Sequence, residues 1–382
     1  MTQRVLTEID VLKNKYLSVW KDACMIESPT DFKEGVDAVG RYFTELALQN
    51  GWQIDVFEQP IAGNVITVTM NPDATLPPIA LSGHMDTVHA IGSFPSPTVR
   101  IEGDRIYGPG VCDCKGGIVV GLLAMEALAK SGFTTRPVVM YLQSDEEGGG
   151  KFSNDETIRH ICRMAQNSVA FLNLEGGAEG FICRERKGIA SFEITVKGQE
   201  AHSAACTTAG ANAILQAAHL ITELEKHKDA DGLTCCCTMI KGGRKHNVVP
   251  NLCEFTANVR FTNQHQLEEF CAYLKSLTVN PTVLGCQIDF CLPRVRPALE
   301  ANRKNLALID KLNEIWGRCG MPPLEGMRAL GGSDAANVSV SGIPTVDNLG
   351  VFGGRIHSTD EYAEISSLAL QAKRVALAAL YI

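Results

Sequence analysis

The chain has 382 residues, 45% of them hydrophobic, and a formal charge of −8 at pH 7. That length suffices for two domains, and the acidic balance argues against nucleic acid or an anionic membrane as partner, since lysine and arginine are scattered with no basic stripe. Fourteen cysteines show no disulfide framework and no C-x-x-C spacing, so they read as reduced thiols packed like small hydrophobes in a cytoplasmic protein.

In chain order, "MTQRVLTEIDVLKNKYLSVW" predicts an amphipathic helix with Leu6, Ile9, Leu12 and Leu17 inward, and it lacks the uninterrupted apolar core of a signal peptide. Strands near "NVITVTM" and "PIALSGHM", a helix from Gly117 to Lys130 and a strand "RPVVMYLQS" then alternate. Such alternation predicts an α/β fold with a mostly parallel sheet covered by helices. The apolar run at 117–129 is too short to cross a bilayer and carries Glu126.

Between 188 and 299 the order becomes β-α-β-β-α-β, the pattern of a two-layer α+β module with helices on one face of an antiparallel sheet. From residue 300 the α/β character resumes and ends in a long helix, at whose start Asp360 and Glu361 suit a helix N-terminus. The reading is a discontinuous α/β domain, 1–187 and 300–382, with a smaller domain, 188–299, inserted.

Charged groups gather where strands end. "LSGHMDTV" closes an apolar run with His84 and Asp86, which a strand points the same way; the pair suits a carboxylate orienting a histidine, or both facing a cation. Asp113 sits in the glycine-rich turn "YGPGVCDCKGGI". The strand "VVMYLQS" runs straight into Asp145, Glu146 and Glu147, whose repulsion a divalent cation would relieve. "SVAFLNLEGG" ends in Glu175, and "DNLGVFGGRIHSTDEY" places His357 in a loop before the last helix. Mixed nitrogen and oxygen donors suit zinc, with manganese or cobalt as substitutes. The carboxylates are too many for one tetrahedral site. Two ions sharing one carboxylate use them all and leave one glutamate over as a base.

These stretches, together with "GQEAHSA", "NVVPN", "ANVRF", "VRPAL" and "GGSDAANVSVSGIPTVDNLG", resemble the di-zinc metallopeptidases that include glutamate carboxypeptidase, acetylornithine deacetylase and succinyl-diaminopimelate desuccinylase, with the carboxypeptidase branch nearest. The resemblance implies one zinc on His84 and Glu175, a second on Glu147 and His357, and Asp113 bridging them through a residue followed by a cis peptide. It implies Asp86 accepting a hydrogen bond from the His84 ring, Glu146 as general base, and the inserted module as a lid and homodimer surface. His202 would reach a partner subunit's site and stabilise an oxyanion. Asn247, Arg260, Arg296, Gly332 and the Ser333 hydroxyl would line the substrate pocket, an arginine gripping a terminal carboxylate through two parallel hydrogen bonds.

The implied activity is release of a C-terminal amino acid, with glutamate as the candidate, from a short peptide or acyl conjugate. An N-acyl-amino-acid deacylase would use the same metal chemistry. A dipeptidase would need an acidic group for a free α-amine, and a non-catalytic metal-binding protein would have no use for Glu146. Cys112 and Cys114, flanking Asp113, depart from the family pattern and read either as packing or as competing thiol ligands.

Overall fold

The computed structural model describes residues 1–329 and 331–382. They form two compact units: Met1–Arg184 with Ala301–Arg328 and Ser333–Ile382, and Glu185–Glu300 with Ala329–Gly332. The short return at 329–332 to the second unit has no counterpart in the sequence pattern, which places a single inserted segment at 188–299.

The first unit is built on a six-stranded sheet in the order Gln53–Phe57, Val65–Met70, Val138–Gln143, Ile79–His84, Ala170–Asn173, Thr345–Val346. The last four run parallel and the first two antiparallel. Every residue of Ile79–His84 and Val138–Gln143 is buried, as a sheet covered on both faces requires. The helices Thr2–Met25, Lys115–Lys130 and Ile365–Tyr381 pack on one another. The middle one is buried on all sides from Lys115 to Leu128, the mark of a core helix rather than a surface one. It begins two residues before the predicted Gly117. A Cβ on Gly117 would run into the Leu174 carbonyl, so glycine lets this helix start close against the strand end that carries Glu175.

Two expectations are corrected. The inward stripe of the first helix is Val5, Ile9, Leu12, Tyr16, Val19, Trp20 and Ala23, while Leu6 and Leu17 are only half-buried at its margin. Two aromatics take the inner positions because each finds a polar partner there: Tyr16 donates to Glu126 Oε2 at 2.7 Å and Trp20 Nε1 to the Val111 carbonyl at 3.0 Å. The last helix starts at Ile365, after a short strand Tyr362–Glu364. Asp360 and Glu361 therefore precede it by a strand, and Glu361 is fully buried.

The second unit follows the order read from the sequence. Strands Gly188–Lys197, Thr234–Gly242, Leu252–Phe261 and Gln287–Arg296 alternate with helices Ala213–Leu224 and Gln264–Val279. The sheet is antiparallel throughout, with Gly188–Lys197 between Leu252–Phe261 and Gln287–Arg296, and Thr234–Gly242 at one edge. Leu220, Leu224, Leu267, Phe270 and Leu274 from the helices share one core with Phe192, Ile194, Val196 and Phe255. No helix among the described residues is long and apolar enough to cross a membrane.

Candidate metal centre

The parallel strands deliver the site from one end of the sheet. Ile79–His84 pairs in register with Val138–Gln143, His84 opposite Gln143, so residues just past each strand end emerge side by side. In open α/β sheets this carboxyl edge is where ligands bind. His84, Asp86, Asp113, Glu146 and Glu175 are all buried, Glu147 is half-buried, and the His357 side chain is 54% exposed.

Asp113 is the meeting point. Its Oδ1 lies 3.0 Å from Nε2 of His84, which is also 3.7 Å from Glu175 Oε1. Its Oδ2 lies 3.2 Å from Nε2 of His357, which is 3.4 Å from Glu147 Oε2. The peptide bond between Asp113 and Cys114 is cis. His357 has φ +62°, the left-handed region, in a turn that swings its ring back toward Asp113.

Asp86 lies behind this group. The closest acceptor for His84 Nδ1 is the Asp86 backbone carbonyl at 2.9 Å, and the carboxylate is 3.4 Å away. Oδ2 accepts from Thr30 Oγ1 at 2.8 Å and from the Glu147 N–H at 3.0 Å, and Oδ1 from the Glu146 N–H at 3.3 Å. Asp86 thus holds the turn that presents both glutamates as well as the ring. With Nδ1 turned backward, Nε2 of His84 faces the Asp113 carboxylate and the site. Asp145 serves the same turn: its Oδ2 accepts the Ser153 N–H at 2.7 Å.

The electrostatics describe an anion cluster short of positive charge. Burial pushes Glu147 up to about 7 and Glu175 up to about 8. Hydrogen bonds to Asp113 and Glu147 raise His357 to about 10. Burial works against ionisation of Asp113 too, but hydrogen bonds from His357 and His84 hold it well below the usual carboxylate range. Glu147 Oε1 is buried without a hydrogen-bond partner. His84, Asp113 and Glu147 offer donor atoms all within 4.8 Å of one another, as do His84, Glu175 and Cys114. Nitrogen and carboxylate donors in such density, with one buried oxygen unsatisfied, fit divalent cations.

The flanking thiols face inward. Cys114 Sγ accepts the His84 N–H at 3.2 Å, and burial pushes this thiol up to about 12. Cys112 Sγ fills the space where a Cβ on Gly176 or Gly353 would lie.

The remaining sequence candidates belong to different places. Ser333 is fully buried and accepts from Asn173 Nδ2 at 3.0 Å and the Ala335 N–H at 3.2 Å, capping the helix Asp334–Val340. Its oxygen thereby ties the start of this helix to the strand Ala170–Asn173. In the second unit, Arg260 and Arg296 both register against Ile189, one from each flanking strand. Burial and the neighbouring charge of Arg296 lower Arg260. A Cβ on Gly332 would collide with Arg296 Cδ. His202 and Asn247 are exposed and adjacent: the Ser203 N–H donates to the Asn247 carbonyl at 3.0 Å, and His202 Nδ1 accepts from Ala204 at 3.2 Å. Sequence reasoning missed Thr30 and the deeper role of Glu361. The signal for Glu361 was its place beside Asp360 before any apolar helical period begins.

A mostly parallel α/β sheet with this histidine–carboxylate cluster at its carboxyl edge defines a metal-dependent hydrolase. Residues 80–381 match peptidase family M20/M25/M40, and the chain belongs to that family of metal-dependent amide hydrolases, which includes peptidases with dinuclear metal sites. It is 28% identical to carboxypeptidase G2 of Pseudomonas sp. (strain RS-16) over 90% of this chain and 83% of that one. It is 26% identical to succinyl-diaminopimelate desuccinylase 1 of Alteromonas mediterranea, over 76% and 78%. In fold it resembles aminopeptidase PepT from Bacillus cereus, with a TM-score of 0.79 at 19% identity over 96% of this chain and 98% of that one.

Proposed function

We propose that the protein hydrolyses the amide bond joining a C-terminal amino acid, with glutamate as the candidate, to a short peptide or acyl group. One observation carries the metal chemistry: the two oxygens of Asp113 address two separate histidine–carboxylate pairs. On this reading His84 and Glu175 hold one cation, His357 and Glu147 a second, and Asp113 is shared. A pair of zinc ions there, for which manganese or cobalt would substitute, supplies Lewis acidity toward the scissile carbonyl and the attacking water.

The chain's own groups do the rest. Asp86 keeps the His84 ring turned so that Nε2 faces the cluster. The Glu146 carboxylate takes a proton from the attacking water as its oxygen bonds the carbonyl carbon, and gives it to the nitrogen as the C–N bond breaks. Arg260 and Arg296, on the two strands that flank Ile189 in the second unit's sheet, concentrate positive charge that suits a substrate carboxylate. Exposed His202 and Asn247 are retained as substrate-binding candidates, His202 as an oxyanion donor.

The second unit also supports self-association. Its edge strand Thr234–Gly242 exposes Met239 and Ile240, and the helix Ala213–Leu224 exposes Ile214 and Leu215; an open edge with apolar side chains favours pairing with another copy. The carboxypeptidase reading is supported by the Pseudomonas relative; the Alteromonas relative favours an N-acyl deacylase as the second reading.

The deciding assay compares N-acyl-glutamate, N-succinyl diamino acids and free dipeptides, before and after chelation. Hydrolysis of the acyl-glutamate, lost on chelation and restored by zinc, is expected. Full activity after stringent metal removal would overturn the proposal, and preference for the succinyl substrate would move it to the deacylase.

A further inference from the structure

Behind the cluster lies a carboxylate with no step of its own in the proposed reaction. Glu361 is completely buried and takes four donors from two other segments. Its Oε1 accepts the N–H groups of Cys112 at 2.8 Å and Asp113 at 3.0 Å; its Oε2 accepts Gly110 N–H at 3.2 Å and pairs with His89 Nε2 at 2.9 Å. The Ser358 N–H donates to the Arg355 carbonyl at 3.2 Å, closing the turn that holds His357; the Glu361 N–H donates to the Ser358 carbonyl at 3.1 Å, closing the turn directly after it, and the Glu361 carbonyl accepts from Gly108 at 3.3 Å. His89 is itself fixed by Phe94, edge-on at 4.8 Å between ring centroids.

A buried carboxylate is stable only when its oxygens are satisfied, and charge-assisted hydrogen bonds are short and directional. The segments that carry Asp113 and His357 are therefore both pinned to one side chain. We infer that Glu361 is a positioning residue that sets the spacing between Asp113 and His357, and with it the competence of the second cation position. The inference rests on the proposed sharing of Asp113. On the His357 side, two of the three ligands, His357 and Asp113, are held through Glu361. On the His84 side only Asp113 is. Loosening the clamp must therefore weaken the two positions unequally.

The test is a calorimetric titration of the chelated full-length protein with manganese, followed by electron paramagnetic resonance. The parent is expected to bind two ions and show the spin-coupled signal of a close pair. Glu361→Gln keeps the shape and the acceptor for Cys112 and Asp113 but turns an amide NH2 toward Gly110 and His89. Disturbing such a supporting partner lowers metal affinity about 10–100-fold. That loss should fall on one ion, with the other changed less than about threefold and the coupled signal lost at equal metal.

His89→Ala removes one donor without touching either turn and should weaken the same ion; His89→Gln, which restores a donor, should recover it. This pair decides the question if Glu361→Gln does not fold. Equal weakening of both ions, or retention of both with the coupled signal, overturns the inference. A parent that binds a single ion instead overturns the sharing of Asp113, and this inference with it.

Discussion

The Nε2 atoms of His84 and His357 address opposite oxygens of one carboxylate, 3.0 Å from Oδ1 and 3.2 Å from Oδ2 of Asp113. His84 ends a core strand and His357 sits in a turn more than 270 residues later. Asp113 comes from a third segment, held by Glu361. The arrangement divides the cluster into two half-sites of similar chemistry, each with one histidine and one glutamate.

If Glu146 carries the proton, replacing it separates chemistry from metal binding. Glu146→Gln should lower kcat by about 10²–10⁴-fold while leaving metal content and KM near the parental values. Steady-state kinetics with elemental analysis checks this. Loss of a cation in that variant would make Glu146 a ligand instead.

Arg296 tests the identity of the recognised group. A hydrogen bond to a charged group contributes about 1.5–3 kcal/mol, so Arg296→Ala should raise KM by roughly 10–100-fold on a substrate with a free C-terminal carboxylate. A lysine cannot reproduce the planar fork and should restore only part of that binding. On the matching C-terminal amide the variant and the parent should perform alike. Equal sensitivity on both substrates would remove the carboxylate from the contact.

Glu126 gives a pH prediction away from the site. Burial opposes its ionisation, but hydrogen bonds from Lys15 at 2.6 Å and Tyr16 at 2.7 Å outweigh this and lower its pKa in the fold. A lowered folded pKa means that its stabilisation is complete above the unfolded value, about 4.3 for glutamate, and is lost as pH falls through the folded value. Glu126→Gln should cost about 1.5–3 kcal/mol at pH 7, and the gap to the parent should close as the pH drops below 4.3. Denaturant melts across that range measure it. A gap independent of pH would assign the loss to packing.

The edge strand Thr234–Gly242 predicts a homodimer. Light scattering should give twice the chain mass for the parent, and Met239→Lys with Ile240→Glu should give the monomer, since charge on an exposed edge blocks strand pairing. A monomeric parent would end the proposal.

Much of this was legible in the sequence because parallel strands are short, apolar throughout and end abruptly in polar turns. His84, Glu146, Glu147 and Glu175 stand at such ends, and Asp113 lies in a turn with glycines on either side. The β-α-β-β-α-β order of the second unit was equally plain from alternation in strands such as Gly188–Lys197. What remained hidden depended on distant partners. Glu361 looks like a helix-start acid until its donors, some 250 residues earlier, are in place. Ser333 looks like a free hydroxyl beside two glycines until Asn173, from the sheet, claims it. Tyr16 displaces leucines from the inner face of its helix only because Glu126 waits opposite.

The most direct measurement is anomalous diffraction from crystals of the zinc-loaded protein and of Asp113→Asn. The wild type should show two peaks about 3.5–4 Å apart, the spacing of shared two-metal sites, with one oxygen of Asp113 on each, and the variant should lose at least one of them. A single peak, or two ions of which only one touches Asp113, would contradict the shared-carboxylate site.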